Sequence, residues 1–97
     1  MKASKEYEWE LIGLLQDVAR DRKLLHNFLQ DILSTYELTD VAVRWQIVKQ
    51  LDKQVPHRRI TKNLHVAVAT VNRGATMLKN KQGGFNQVLN KYGHKKY

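Results

Sequence analysis

The sequence predicts an all-α protein of about six helices that includes a helix-turn-helix, and three observations lead there. Apolar residues recur at three- and four-residue steps through most of the chain, the period of one helical face. No stretch alternates apolar and polar side chains for long enough to make a strand. Helix-breaking residues are sparse: Pro56 is the only proline and Gly83-Gly84 the only glycine pair.

The helices follow in order. Over residues 6–18, Trp9, Ile12, Leu15 and Val18, with Leu11 and Leu14 beside them, form the first apolar face. Residues 24–33 repeat it with Leu24, Leu25, Phe28, Leu29, Ile32 and Leu33. Ser34-Thr35-Tyr36-Glu37 has the spacing of a capping box: the Ser34 hydroxyl accepts from a free N–H and Glu37 reaches back. A third helix follows, with Leu38, Val41, Trp45, Val48 and Leu51 on its inner face. Pro56 opens a short fourth helix, where its missing N–H costs nothing. His65-Val66-Ala67 is the turn into a fifth, and Phe85, Val88 and Leu89 indicate a short closing helix after the glycine pair. Trp9 and Trp45 are expected in the core.

With 97 residues the chain has room for a single domain. Its expected parts are a helical dimerisation core over about 6–55, the helix-turn-helix over 56–80, and a C-terminal helix over 85–92 with a basic tail after it. There is no cysteine for a disulfide or thiolate-held zinc. The charged start is unlike a secretory signal, and no apolar run approaches the roughly 20 residues that span a bilayer, so the expected place is the cytoplasm. Two helices with broad apolar faces exceed what a small monomer needs to cover itself, which predicts a dimer built on residues 6–51.

Charge divides the chain. Residues 1–50 carry seven Lys/Arg and eight Asp/Glu, whereas residues 51–97 carry ten Lys/Arg against one acid, Asp52. That split suits a scaffold joined to a polyanion-binding surface.

In the stretch 56–80, Ile60 and Leu64 face inward while Arg58, Arg59 and Lys62 face out. The next helix is expected to bury Val68, Val71, Ala75 and Leu78. Its other face carries Ala69, Thr70, Asn72, Arg73, Thr76 and Lys79, small or polar and without an acid. Small residues allow close approach to a groove, and hydroxyls and amides meet base edges. Arg58, Arg59 and Lys62 would flank that helix as phosphate contacts. An amphipathic hairpin with a solvated basic face has the same pattern. His65 stands where such turns usually hold glycine, a position that often needs positive φ.

The four histidines have no metal-ligand spacing, and no nucleophile–base pair is evident, so neither a metal site nor an enzyme is expected.

These residues resemble the Trp repressor family over almost the whole chain. Val68-Ala69-Thr70-Val71-Asn72-Arg73-Gly74-Ala75-Thr76-Met77-Leu78-Lys79 is similar to the family's recognition helix, I-A-T-I-T-R-G-S-N-x-L-K. Arg44 with Ile47-Val48 and Leu51 fits the family's third helix, Trp9 falls on an early family tryptophan, and Leu33-Ser34 fits a family Leu-Thr junction. The spacing holds apart from about one missing residue between Leu51 and Pro56.

The resemblance implies an intertwined homodimer that binds a palindromic DNA operator and represses transcription with L-tryptophan as corepressor. Carried over, Arg73 stacks on one indole face and Arg44 covers the other. Arg44 and Ser34 hold the carboxylate, and backbone carbonyls near Asp31 and Leu33 of the other subunit meet the ammonium. Gly74 and Met77 complete the ligand set. The implied DNA contacts are Arg58, Thr61, Val68, Ala69, Thr70 and Asn72, beside the Lys62 already named.

Three positions depart from the family. Met77 replaces a serine that contacts the ligand ammonium, Thr61 replaces a lysine on the DNA side, and Val66-Ala67 replaces a small, often glycine-containing turn. A thioether is a poor acceptor, so a charge-assisted bond worth roughly 1.5–3 kcal/mol is at stake. Another ligand or none, and an altered DNA site, therefore stay open, as does a basic helical adaptor for RNA or an acidic protein. For Arg44 the competing role is a solvated or Asp40-paired side chain; for Arg73, a phosphate contact or a solvated one.

Overall fold

The computed structural model describes all 97 residues, as six α-helices and no strand: α1 Lys5–Val18, α2 Arg22–Ile32, α3 Thr35–Asp52, α4 His57–Leu64, α5 Val68–Leu78 and α6 Gly84–Tyr92. Every helix expected from periodicity forms, with ends within about two residues. No helix is long and apolar enough to cross a membrane. The chain divides into two compact units, Met1–Leu38 and Thr39–Tyr97.

In the first unit each helix start is closed by a side chain. Ser4 accepts from the Glu6 N–H at 3.2 Å and Asp21 from the Leu24 N–H at 3.1 Å. At α3 the capping box is reciprocal: the Glu37 N–H donates to Ser34 Oγ (3.1 Å) and the Ser34 N–H to Glu37 Oε1 (2.8 Å). The Ser34 N–H, and after it the Ser34 side chain, favour the charged carboxylate and hold Glu37 below the usual range. Its contribution is therefore present above the ordinary carboxylate value and lost as pH falls through the lowered one.

α1 and α2 pack together and half-bury Leu15, Val18, Leu25, Phe28 and Leu29, yet neither helix has a fully buried residue. Trp9 is a correction: it is 70% exposed rather than in a core, because nothing within the chain covers that side of α1.

The second unit has a core of its own. Ile47, Ile60 and Val71, one residue each from α3, α4 and α5, are fully buried together, ringed by Val43, Leu51, Val55, Leu64 and Val66. Val48 and Leu89 are buried as well. The inner face of α3 is thus centred on Ile47 and Val48. Trp45 is only half-buried and Val41 is exposed, contrary to the expectation for both.

Two left-handed residues shape this core. Gln54 (φ 61°) follows α3 and His65 (φ 53°) follows α4. After each, the next N–H reaches back five residues, Val55 to the Gln50 carbonyl (3.0 Å) and Val66 to the Thr61 carbonyl (3.3 Å). This is the Schellman arrangement, which turns the chain and sends Val55 and Val66 onto the core. His65 thus takes the positive φ that its place in the turn called for. A side chain there costs about 1–2 kcal/mol relative to ordinary backbone.

Gly74 lets α5 lie close to α3. A Cβ at that position would stand 3.2 Å from Ile47 Cγ2 and 3.3 Å from Leu51 Cδ1. After α5, Asn86 Nδ2 donates to the Leu78 and Asn80 carbonyls (3.0 and 2.8 Å) and fastens α6 to the end of α5.

Candidate nucleic-acid interface and ligand pocket

α4 and α5 form the helix-turn-helix, joined through His65-Val66-Ala67. Ile60 and Val71 anchor them to the core, so the remaining faces are held outward. On α5, Ala69, Thr70, Asn72, Arg73, Thr76 and Lys79 are all exposed; on α4, Arg58, Arg59 and Lys62 are too. No acid lies in either helix, nor anywhere after Asp52.

Val68 is a further correction. It was expected inside α5, but as the first residue of the helix it lies before the buried stripe begins at Val71, and it is 54% exposed. Ala75 and Leu78 are half-buried.

Two threonines on these helices turn their hydroxyls back on the backbone. Thr61 Oγ1 donates to the His57 carbonyl and Thr76 Oγ1 to the Asn72 carbonyl, each at 3.0 Å. Thr61 therefore keeps its lone pairs and methyl for a partner, with its hydroxyl proton engaged. Asn72 Oδ1 stands 3.1 Å from His57 Nδ1, a tie between the helices that spacing did not foresee.

The helix starts on this side are open. Pro56 before α4 and Ala67 before α5 supply no side-chain cap; the Arg59 and Thr70 N–H groups turn back to the Pro56 and Ala67 carbonyls, and the earlier first-turn N–H groups have no side-chain acceptor. Such ends carry partial positive charge and favour anions.

Behind α5 is a cavity of about 140 Å³ lined by Arg44, Ile47, Val48, Thr70, Arg73, Gly74, Met77 and Phe85. Of the sequence-expected ligand residues, it brings together Arg44, Arg73, Gly74 and Met77. Spacing gave no sign that Phe85 joins them; the turn over residues 80–83 brings it back against α3 and α5 at the start of α6. Arg44 and Arg73 are both exposed and neither is ion-paired, since the one salt bridge in the chain is Lys5–Glu8 at 3.6 Å. Pairing of Arg44 with Asp40 is therefore absent.

The cavity has two cations, no carboxylate and an apolar floor. That chemistry suits a planar, apolar molecule bearing a negative charge, since guanidinium groups both stack on aromatic faces and pair with carboxylates. An apolar cavity of roughly 150 Å³ accepts benzene, so a larger ring requires side-chain movement. Met77, 51% exposed and flexible, is placed for it.

Leu33 and Ser34 belong to the first unit, Leu33 at the end of α2 and Ser34 at the start of α3. Ser34 Oγ is engaged with Glu37 in the capping box, accepting from its N–H and helping to hold its carboxylate in the charged form. No three His, Asp or Glu side chains come together in a metal-holding group.

Comparison with known proteins places these features in one family. Residues 8–93 match the family described as Trp repressor protein. The chain is 33% identical over 86 residues to a Haemophilus influenzae protein named Trp operon repressor homolog, covering 88% of this chain and 85% of that protein. A Chlamydia trachomatis protein of the same name is 29% identical over 92 residues, covering 94% and 98%. One from Actinobacillus succinogenes is 49% identical over 53 residues, covering 54% and 52%. No solved structure is a significant match to this chain.

Proposed function

The chain belongs to the Trp repressor family, a family of regulators rather than enzymes, and on that premise we propose that it is a homodimeric repressor whose grip on a palindromic DNA operator is gated by L-tryptophan. The observation that carries this reading is that α5 borders the cavity and is also exposed. Ala69 and Asn72 are exposed and outside the cavity lining, while Thr70, Arg73, Gly74 and Met77 line it. Whatever fills the cavity sets where α5 stands.

The proposed mechanism follows from that geometry. Arg73 and Arg44 sandwich the indole, and Arg44 holds the carboxylate. With the ring in place α5 is propped outward, and Val68, Ala69, Thr70 and Asn72 meet base edges. Arg58 and Lys62 contact phosphates and supply affinity that salt weakens. Thr61 contributes an acceptor and a methyl group in place of charge. The exposed apolar residues of α1 and α2, Trp9, Ile12, Leu14 and Leu24 among them, are the surface a second copy covers. A single-domain organisation and a cytoplasmic place accompany this reading.

Met77 favours a second reading of the ligand. The cavity presents a thioether and no carboxylate toward the ligand, so an aromatic carboxylate that lacks an α-ammonium is the alternative corepressor.

Fluorescence anisotropy of a labelled duplex carrying a Trp-repressor-type palindrome, with salt near 150 mM, tests the proposal. Tightening of roughly tenfold or more on adding millimolar L-tryptophan is expected, within the usual range of coupling energies. Tightening by indole-3-propionate alone would support the second reading. Equal binding to the palindrome and to random duplex under all conditions would overturn the DNA reading.

A further inference from the structure

His57 and Asn72 meet across the helix-turn-helix, 15 residues apart in sequence, with Nδ1 and Oδ1 separated by 3.1 Å. His57 is the first residue of α4 and Asn72 the fifth of α5, and both are exposed on the acid-free side. Oδ1 is the amide atom that faces the ring, and it accepts a hydrogen bond in the tautomer that carries the proton on Nδ1. In that tautomer the contact orients the Asn72 amide and takes one of the two lone pairs of its oxygen. The hydroxyl protons of Thr61 and Thr76 are given to the carbonyls of these same two residues. Among neutral side-chain donors on this part of α5, the Asn72 NH₂ group and the Thr70 hydroxyl are left without a protein partner.

We propose that His57 is a positioning residue that sets the base preference of Asn72, an inference that rests on the DNA-reading function above. A free asparagine reads adenine with both ends of its amide, the oxygen accepting from N6 and the NH₂ donating to N7. With its oxygen turned toward His57 and one of its two lone pairs taken, Asn72 presents its NH₂ end to the groove. It then seeks an acceptor, namely purine N7, guanine O6 or thymine O4, and rejects the N4 amino group of cytosine. Adenine loses its advantage over guanine.

The test uses the full-length protein with millimolar L-tryptophan and a palindromic duplex in which every base pair is varied singly. The base pair read by Asn72 is the one whose identity stops mattering in Asn72→Ala. There the unaltered protein is expected to disfavour cytosine about tenfold, in line with the usual effect of one mismatched pair, and to hold adenine and guanine within about threefold. His57→Ala shifts the ratio toward adenine by about fivefold or more. His57→Gln, whose amide can donate in place of Nδ1–H, restores it. The double variant behaves like Asn72→Ala alone, because the two residues act as one unit.

The inference is overturned if His57→Ala alters a different base pair, if the two losses add, or if all duplexes weaken equally. Absence of any sequence preference in the unaltered protein would be a distinct result, overturning the DNA-reading function and this inference with it.

Discussion

Residues Met1–Leu38 and Thr39–Tyr97 are built on opposite principles. The first carries five Lys/Arg and seven Asp/Glu, closes each of its helix starts with Ser4, Asp21 or Ser34, and buries no residue. The second carries twelve Lys/Arg and two acids, leaves α4, α5 and α6 without side-chain caps, and has a core at Ile47, Ile60 and Val71. One unit satisfies its backbone locally and leaves its apolar surface for something else to cover. The other closes a small apolar core and leaves helix starts uncapped among its cations. On the proposed function, that contrast assigns assembly to the first unit and recognition to the second.

Substitutions at matched sites break that comparison in different ways. The largest effect is expected for Trp9→Asp. If a second copy covers α1, each lost large side chain costs about 1.5–3 kcal/mol and symmetry counts it twice, so the dimer dissociates 10²- to 10⁴-fold more readily. Sedimentation at micromolar concentration reads this directly. An unchanged dimer would remove that face of α1 from the interface.

Ile60→Ala acts within the second unit and should cost about 2–5 kcal/mol through the cavity it leaves. Thermal denaturation followed by circular dichroism measures it, and a loss below 1 kcal/mol would mean the core relaxes around the change. His65→Gly sharpens the picture from the other side. Removing the side chain from a left-handed position should stabilise the chain by roughly 0.5–1 kcal/mol, less than the full conformational penalty because glycine also loosens the unfolded state. A lower melting temperature would show that the imidazole makes a contact outweighing its backbone strain.

Much of this was legible beforehand, for reasons that differ by residue. Ser34 and Glu37 are three apart and cap each other through local geometry alone. His65 showed its strain because a turn between two amphipathic helices leaves few backbone options. Arg44, Arg73, Gly74 and Met77 came from the family resemblance, and the fold gathers them around one cavity. Periodicity, by contrast, identifies an apolar face without saying what covers it, so Trp9 was placed in a core that the single chain lacks. Val68 has the right residue type but sits before the buried stripe begins. Phe85 and the His57–Asn72 contact depend on chain reversals at residues 80–83 and His65, which set distances between side chains remote in sequence. Gln54 had no signal, since nothing about glutamine marks a left-handed cap.

The central claim is that α5 is shared between the cavity and the DNA face, which makes the two kinds of binding reciprocal. Calorimetric titration of L-tryptophan into the free protein and into its complex with a palindromic operator tests this most directly. The account predicts affinity at least tenfold tighter in the complex, about 1.4 kcal/mol, matching the factor by which L-tryptophan tightens DNA binding. Equal affinity in the two titrations would contradict it, and would make the cavity a site with no hold on the helix beside it.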